Sequence, residues 1–398
     1  MTPPEVYSLA QGPVTAHAFN QDRSQVAVSL NSKDVQIFTK AKNDWKATET
    51  LSEHDKLITS IDWAPNSNRI VTASQDRNAY VWSQTPDPHT GRSEWKPTLV
   101  LLNINRAATF VRWSPFENKF AVASGARAIA ICSFDEESNW WVSKLLKKPI
   151  RSTVLSIDWH PNNVLLAAGS ADMKARVFSA YIKDVDKKPA PTFWGEKLPF
   201  GTVCGEFASP AGGWVHTVSF SPSGDVLAFA GHDSTISIVY PGSGPAIRTV
   251  RITTLPLVTL VWASEDSIVA AGHDCQPYVF SGNEGGWTLI GSLDDTSAPK
   301  STLSPSRFGP GGPGRLNSSA FNTFKNADSR GIGGGGASSQ ESELLTVHQN
   351  TITSVRPYEG ESGAVTKVST TGVDGKLVIW NVATVTALTA KLGSAHLR

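Results

Sequence analysis

The chain has 398 residues, and its 36 Lys and Arg against 35 Asp and Glu leave a formal charge of +1. That balance excludes a protein built chiefly to coat nucleic acid or an acidic membrane surface, since either partner demands a large basic excess. Three cysteines, Cys132, Cys204 and Cys275, are an odd number without paired spacing, which excludes a Cys-based zinc module and a disulfide framework and fits a reducing compartment.

Residues 1–10 contain two prolines and an acid and lack a basic flank followed by an apolar run. No stretch of the chain approaches eighteen consecutive apolar residues, so membrane insertion is not expected and a cytosolic or nucleocytoplasmic location is. Residues 6–9 (VYSL) precede the first repeat and are expected to supply the outer strand of the last one, joining the two ends of the chain.

From there a pattern recurs seven times. A small or acidic residue stands six positions before the residue that closes a short β-type run: Ser32/Phe38, Asp76/Trp82, Ala126/Cys132, Asp172/Phe178, Asp233/Val239, Asp274/Phe280 and Asp374/Trp380. A second aromatic lies nineteen residues before the closing position at Phe19, Trp63, Trp113, Trp159 and Phe220, with Trp262 one residue closer. A four-stranded antiparallel sheet cannot bury both of its own faces, so each unit needs a neighbour on either side, and repetition is the solution. The pattern therefore predicts an all-β fold, a seven-bladed WD-repeat β-propeller forming one domain over residues 1–398. In the second unit, a strand ending at Trp63 is followed by the turn Ala64-Pro65-Asn66-Ser67, a strand over 69–74, a tight turn at Asp76 and a return strand to Trp82.

Two intervals exceed the usual blade period of about 40–45 residues. The one before Val239 contains residues 183–213, rich in Lys, Pro and Gly, and reads as a long surface loop. The one before Trp380 contains residues 294–343, a Gly/Ser/Pro-rich insertion between the last two blades whose composition cannot bury enough apolar surface to order itself. Inside it, residues 318–327 (SSAFNTFKNA) read as a short helix with Ser318 or Ser319 as cap; Phe321 and Phe324, with Leu316 nearby, form an apolar stripe beside Lys325. Such a segment suits a helix-in-groove contact with another protein, and folding back onto the propeller is the equal alternative. Near the end, Val385, Leu388 and Leu392 recur at helical spacing.

Catalytic chemistry finds little support. The triplets Gly231-His232-Asp233 and Gly272-His273-Asp274 place His beside Asp, but both occur at one phase of the repeat, which argues for structure rather than reaction. His54 is expected to hydrogen-bond Asp76, with Ser74 and Trp82 completing a polar network under the turn, a stabilising arrangement rather than a reactive one. Asp172, Asp233, Asp274, Asp374 and Trp380 hold the corresponding structural positions of other blades. No phosphate loop, HExxH helix or GxSxG elbow is present, and no catalytic residue, metal site or cofactor is assigned. One cationic cluster is dense: Lys144, Lys147, Lys148 and Arg151, beside Trp140 and Trp141, suits an acidic peptide with tryptophan as anchor. The bland reading of that cluster is solvated rim charge.

Residues 68–82 (NRIVTASQDRNAYVW), 105–125 (NRAATFVRWSPFENKFAVASG) and above all 150–170 (IRSTVLSIDWHPNNVLLAAGS) resemble the WD-repeat subunit 1 family of the actin-related protein 2/3 complex. The similarity extends to residues 270–275 (AAGHDC) and 370–375 (TTGVDG), and so runs over nearly the whole chain. The resemblance implies a non-enzymatic scaffold in a seven-subunit assembly that nucleates a daughter actin filament on the side of an existing one. It implies location in the cytoplasmic actin cytoskeleton, at cortical actin patches. It further implies that the insertion helix, here Leu316, Phe321, Phe324 and Lys325, lies near the mother filament. The propeller would also receive the acidic segment of nucleation-promoting factors, for which Trp140, Trp141, Lys144, Lys147, Lys148 and Arg151 are the expected residues. The glycine-rich flanks at 309–314 and 331–336 depart from the family pattern. Competing readings are a WD-repeat adaptor of another assembly, such as a ubiquitin-ligase receptor or vesicle coat, and a propeller enzyme, which would need funnel residues that differ between blades.

Overall fold

In five of the seven units the second run shows no polar face: Ile70–Ser74, Lys119–Ser124, Leu165–Ser170, Leu227–Gly231 and Ser267–Gly272 are buried at every position. A strand buried on both sides must be the interior of a sheet covered above and below. In the computed structural model, which describes residues 3–42, 44–86, 93–196, 198–242, 244–294 and 344–382, each such run is an interior strand of a four-stranded antiparallel sheet. There are seven sheets, and every regular element among the described residues is a β-strand.

The first strand, β1 (Glu5–Ser8), belongs to the last blade. Blade 1 is β2 (Ala16–Phe19), β3 (Gln25–Ser29), β4 (Asp34–Ala41) and β5 (Asp44–Ser52); blade 2 is β6 (Ile58–Trp63), β7 (Ile70–Ser74), β8 (Asn78–Pro86) and β9 (Ser93–Leu101). β10 (Ala108–Trp113), β11 (Lys119–Ser124), β12 (Ile129–Asp135) and β13 (Trp140–Leu146) make blade 3; β14 (Val154–Trp159), β15 (Leu165–Ser170), β16 (Lys174–Ser179) and β17 (Val203–Ala208) make blade 4. Then come β18 (Val215–Phe220), β19 (Leu227–Gly231), β20 (Thr235–Tyr240) and β21 (Ala246–Arg251) in blade 5, and β22 (Leu257–Ser264), β23 (Ser267–Gly272), β24 (Pro277–Asn283) and β25 (Gly286–Ser292) in blade 6. Blade 7 combines β26 (Ile352–Glu361), β27 (Ala364–Gly372) and β28 (Lys376–Asn381) with β1, which pairs antiparallel to β28 through Tyr7↔Leu377.

The ring thus closes by joining the two ends of the chain, as expected for residues 6–9. The Leu9 and Ala10 amides donate to the Gly375 carbonyl at 3.0 and 3.3 Å. Gly375 has φ +76°, and a Cβ there would stand 2.0 Å from the Ala10 carbonyl oxygen, so only glycine allows the N-terminal segment this approach.

Apolar clusters fill the spaces between neighbouring blades; one joins Val71 and Val81 of blade 2 to Val111 and Trp113 of blade 3. The inner-strand aromatics are buried there, and several meet a tryptophan of the outer strand edge-to-face or tilted: Phe19 and Trp45, Trp63 and Trp95, Trp113 and Trp141, and Trp262 and Trp287, with centroids 5.6–5.8 Å apart. Outer strands alternate instead, as β21 does, because solvent covers one of their faces.

Residues 183–213 are not the plain surface loop that their composition suggests. They include β17, and Trp194 and Leu198 are buried among Phe207, Val215 and Phe220. Trp194 Nε1 donates to the Gly224 carbonyl at 2.8 Å. Single anchors of this kind carry no period, so Lys- and Pro-rich surroundings conceal them. The insertion lies between β25 and β26, the last two blades; residues 295–343, with the expected helix at 318–327 and Leu316, Phe321, Phe324 and Lys325, lie outside the described residues, as do Val385, Leu388 and Leu392.

Candidate interaction site

The turn acids are the most regular polar feature, and their partners differ by blade. In blade 2, His54 Nδ1 meets Asp76 Oδ2 at 2.7 Å, while His54 Nε2 meets Thr72 Oγ1 at 2.8 Å and Trp82 Nε1 donates to the same hydroxyl at 3.1 Å. Thr72, not Ser74, is therefore the link between histidine and tryptophan. Ser74 Oγ instead donates to the Lys56 carbonyl and accepts the Asp76 amide, because on a pleated strand it lies two residues further toward the turn. Blade 7 repeats the network with His348, Thr370, Trp380 and Asp374, at 2.7 Å from both His348 Nε2 and Trp380 Nε1 to Thr370 Oγ1. Burial pushes the Asp76 and Asp374 carboxyls up, but the histidines and backbone amides outweigh it and hold both below their ordinary range.

Elsewhere the acid recruits what its own blade offers. Asp172 accepts from Arg176 Nη1 at 2.9 Å and from the Arg151 amide; Asp233 accepts from Ser209, Ala211 and Thr235; Asp274 accepts from the Tyr278 hydroxyl at 2.9 Å. His232 and His273 lie in the same turns rather than on strands, and neither bonds its adjacent acid: His232 Nδ1 pairs with His216 Nε2 at 2.9 Å, and His273 with Thr351.

The cationic cluster divides. Trp140, Val142 and Lys144 alternate outward along β13 and are exposed, and Lys147, Lys148 and Arg151 are exposed in the connection to β14. Trp141 faces the opposite way and is buried against Trp113, Phe120 and Phe134. It is a core residue and not an anchor for a peptide, because successive side chains on a strand point to opposite faces. The outer-strand tryptophans Trp45, Trp95 and Trp287 were the sequence signal for this.

The insertion leaves and returns at one place. Asp294, buried where β25 ends, accepts the Val347 amide on Oδ2 at 2.7 Å, so the two ends of a long interval are pinned by one hydrogen bond. Lys376 Nζ adds a bond to the Val347 carbonyl.

The first strands of the seven blades, β2, β6, β10, β14, β18, β22 and β26, line a central channel, which holds a feature that sequence reading passed over. The residue before each inner aromatic, or its equivalent, falls at one level: Asp62, Arg112, Asp158 and Arg356 are charged, and Ala18, Ser219 and Val261 complete the layer, each opposite a residue of its neighbouring strand such as Val71, Ala121 or Ser369. Arg356 reaches past the small Ala18 of blade 1 to Asp62 of blade 2, with Nη1 donating to Oδ1 at 2.8 Å and Nη2 to the Ile61 carbonyl at 2.9 Å. Asp62 Oδ2 and Asp158 Oδ2 each accept the inner-aromatic amide of the next blade, Trp113 and Phe220, at 2.8 Å. A one-residue offset from the aromatics was the available signal. Among the described residues, no group of three or more His, Cys, Asp or Glu is placed to hold a metal ion.

Seven similar sheets, turn acids at a fixed phase and His-Thr-Trp networks beneath two of the turns define a seven-bladed WD-repeat β-propeller, and the WD domain, G-beta repeat family matches residues 45–83, 144–179 and 201–239. Similarity to whole proteins is more specific. The chain is 49% identical over 389 residues, 96% of its length, to the whole of "Actin-related protein 2/3 complex subunit 1" of Schizosaccharomyces pombe. It is 50% identical over 374 residues, 94% of the chain and 95% of the relative, to "Actin-related protein 2/3 complex subunit 1A-B" of Xenopus laevis. It is 40% identical over 388 residues, 95% of the chain and 97% of the relative, to "Actin-related protein 2/3 complex subunit 1" of Saccharomyces cerevisiae. The chain belongs to the actin-related protein 2/3 complex subunit 1 family.

Proposed function

We propose that this protein is a non-catalytic scaffold subunit of the actin-related protein 2/3 complex in the cytoplasmic actin cytoskeleton, supporting nucleation of branched actin filaments through three contacts. The ring binds the other subunits. The insertion, through Leu316, Phe321, Phe324 and Lys325, meets the mother filament. Lys144, Lys147, Lys148 and Arg151, with exposed Trp140, receive the acidic segment of nucleation-promoting factors. Family membership over nearly the full length carries the reading. The pinned ends of the insertion support its use as an arm, and exposed cations beside an exposed indole support an acidic ligand.

A tagged full-length chain expressed in cells is expected to bring down actin-related proteins at near-stoichiometric yield. Their absence from such a pull-down would overturn the reading. Within the assembled complex, deleting residues 316–327 is expected to lower branch density on pre-formed filaments while leaving assembly intact, whereas reversing charge at Lys147 and Lys148 is expected to weaken acidic-peptide binding at low salt. Unchanged branching in the first case, or unchanged peptide affinity in the second, removes the corresponding contact.

A further inference from the structure

The charged layer of the channel is unevenly satisfied. Asp62 has Arg356 on one oxygen and the Trp113 amide on the other. Asp158 takes the Phe220 amide and the Ser219 hydroxyl on Oδ2, with the neighbouring Trp159 amide a weaker donor to the carboxyl, so Oδ1 keeps capacity as an acceptor. Arg112 stands over the Phe110 ring at 4.2 Å and donates from Nη1 to the Val111 carbonyl at 3.0 Å, with Asp62 Oδ1 at 3.9 Å; Nε and Nη2 have no protein acceptor among the described residues. Arg112 and Asp158 both line a cavity of about 470 Å³ along the channel. Burial, helped by Arg356, pulls the Arg112 guanidinium down to about 9 against the attraction of Asp62 and Asp158, and burial pushes the Asp158 carboxyl up to about 6 against its hydrogen bonds and the attraction of Arg112.

A ligand complementary to this pair carries anionic oxygens for a guanidinium fork and a hydroxyl for a carboxylate that only accepts. Hydrogenphosphate has both. Sulfate has no hydroxyl, and a phosphate monoester at neutral pH is largely a dianion without one. We propose that the channel binds inorganic phosphate, with Arg112 donating to phosphate oxygens and Asp158 Oδ1 accepting the P–OH proton. Ser219 and the Phe220 amide fix the Asp158 carboxyl in place by holding its other oxygen. The site is separate from the β13 cluster proposed above, none of whose residues lines it.

Isothermal titration of the full-length chain at neutral pH and fixed ionic strength, with phosphate, sulfate and methyl phosphate in turn, tests the assignment. Phosphate is expected to bind about tenfold or more tightly than either of the others, the effect of one mismatched hydrogen bond to a charged group. Arg112→Gln is expected to lose about tenfold or more of the phosphate affinity, and Arg112→Lys serves if that variant does not fold. Asp158→Asn gives the sharpest result. The Phe220 and Ser219 donors would hold the amide oxygen toward themselves and turn the NH₂ group into the cavity, so sulfate should gain on phosphate and the preference should invert. A purely structural Asp158 would change stability without changing the ratio. No heat with phosphate, equal affinity for phosphate and sulfate in the native chain, or an unchanged ratio in Asp158→Asn overturns the proposal.

Discussion

Trp380→Ala is expected to destabilise the propeller by about 3–5 kcal/mol, the cost of removing a large aromatic from a site that cannot collapse around the void. Trp380 is the largest of the fully buried side chains among the described residues and packs between blades 6 and 7 with Val269, Leu293, Val355 and Val368. Its indole also donates to Thr370 Oγ1, the atom that His348 Nε2 meets, so truncation removes one member of a closed polar network as well. Blade 7 is where β1 joins β28, so the damage falls on ring closure. Trp380→Phe separates the two effects: it keeps most of the volume and loses the N–H, and should cost only about 1–2 kcal/mol. Denaturant unfolding of the full-length chain gives both numbers. A loss under about 1 kcal/mol for Trp380→Ala would show that neighbouring side chains refill the site, and the core assignment would fail.

Much of this architecture was legible because a turn acid and a closing residue six positions later answer the same backbone demand in every blade. Asp76, Asp172, Asp233, Asp274 and Asp374 each accept an amide or side-chain donor from a residue just after them in the turn or its return strand, and that need recurs with the fold. Their distant partners were less legible because they come from different chain positions. Arg176 serves Asp172 from within its own strand pair, whereas His348 serves Asp374 across 26 residues. Thr72 and Thr370 were missed although each stands ten residues before its tryptophan. A threonine at matching places in only two blades is a weak signal until its partner tryptophan is known. Trp141 was misread for the opposite reason: density of charge nearby drew it into a surface cluster, while its true relation is to Trp113, nearly thirty residues earlier. The channel layer was hidden because Asp62, Arg112, Asp158 and Arg356 differ in sign and come from four separate strands, and only ring geometry brings them to one level.

Lys119→Met is expected to cost about 3–5 kcal/mol, because it leaves Asp186 buried without its counter-charge. The pair is closed to solvent, with side chains 0% and 1% exposed, and joins blade 3 to the long connection of blade 4 across 67 residues. Lys119 Nζ also donates to the Ala180 carbonyl at 3.1 Å and lies 5.1 Å from the Trp159 ring. Asp186 accepts the Ile182 amide at 2.7 Å and Asn163 Nδ2 at 3.0 Å. Burial pulls the Lys119 amine below its ordinary range, and Asp186 works against that pull, so the charge survives only in company. Methionine keeps the stem and its packing and removes the cation alone. Adding Asp186→Asn then deletes the orphaned charge while leaving an oxygen for the Ile182 amide, and the double variant should recover about 2–3 kcal/mol of the loss. The same connection carries exposed Phe193 beside buried Trp194, so its loosening should be visible as faster tryptic cleavage after Lys183 and Lys187, out of proportion to global unfolding. If the single variant is nearly as stable as the native chain, or the double variant is no more stable than the single one, Lys119 and Asp186 do not act as a pair and the connection is held by Trp194 and Leu198 alone.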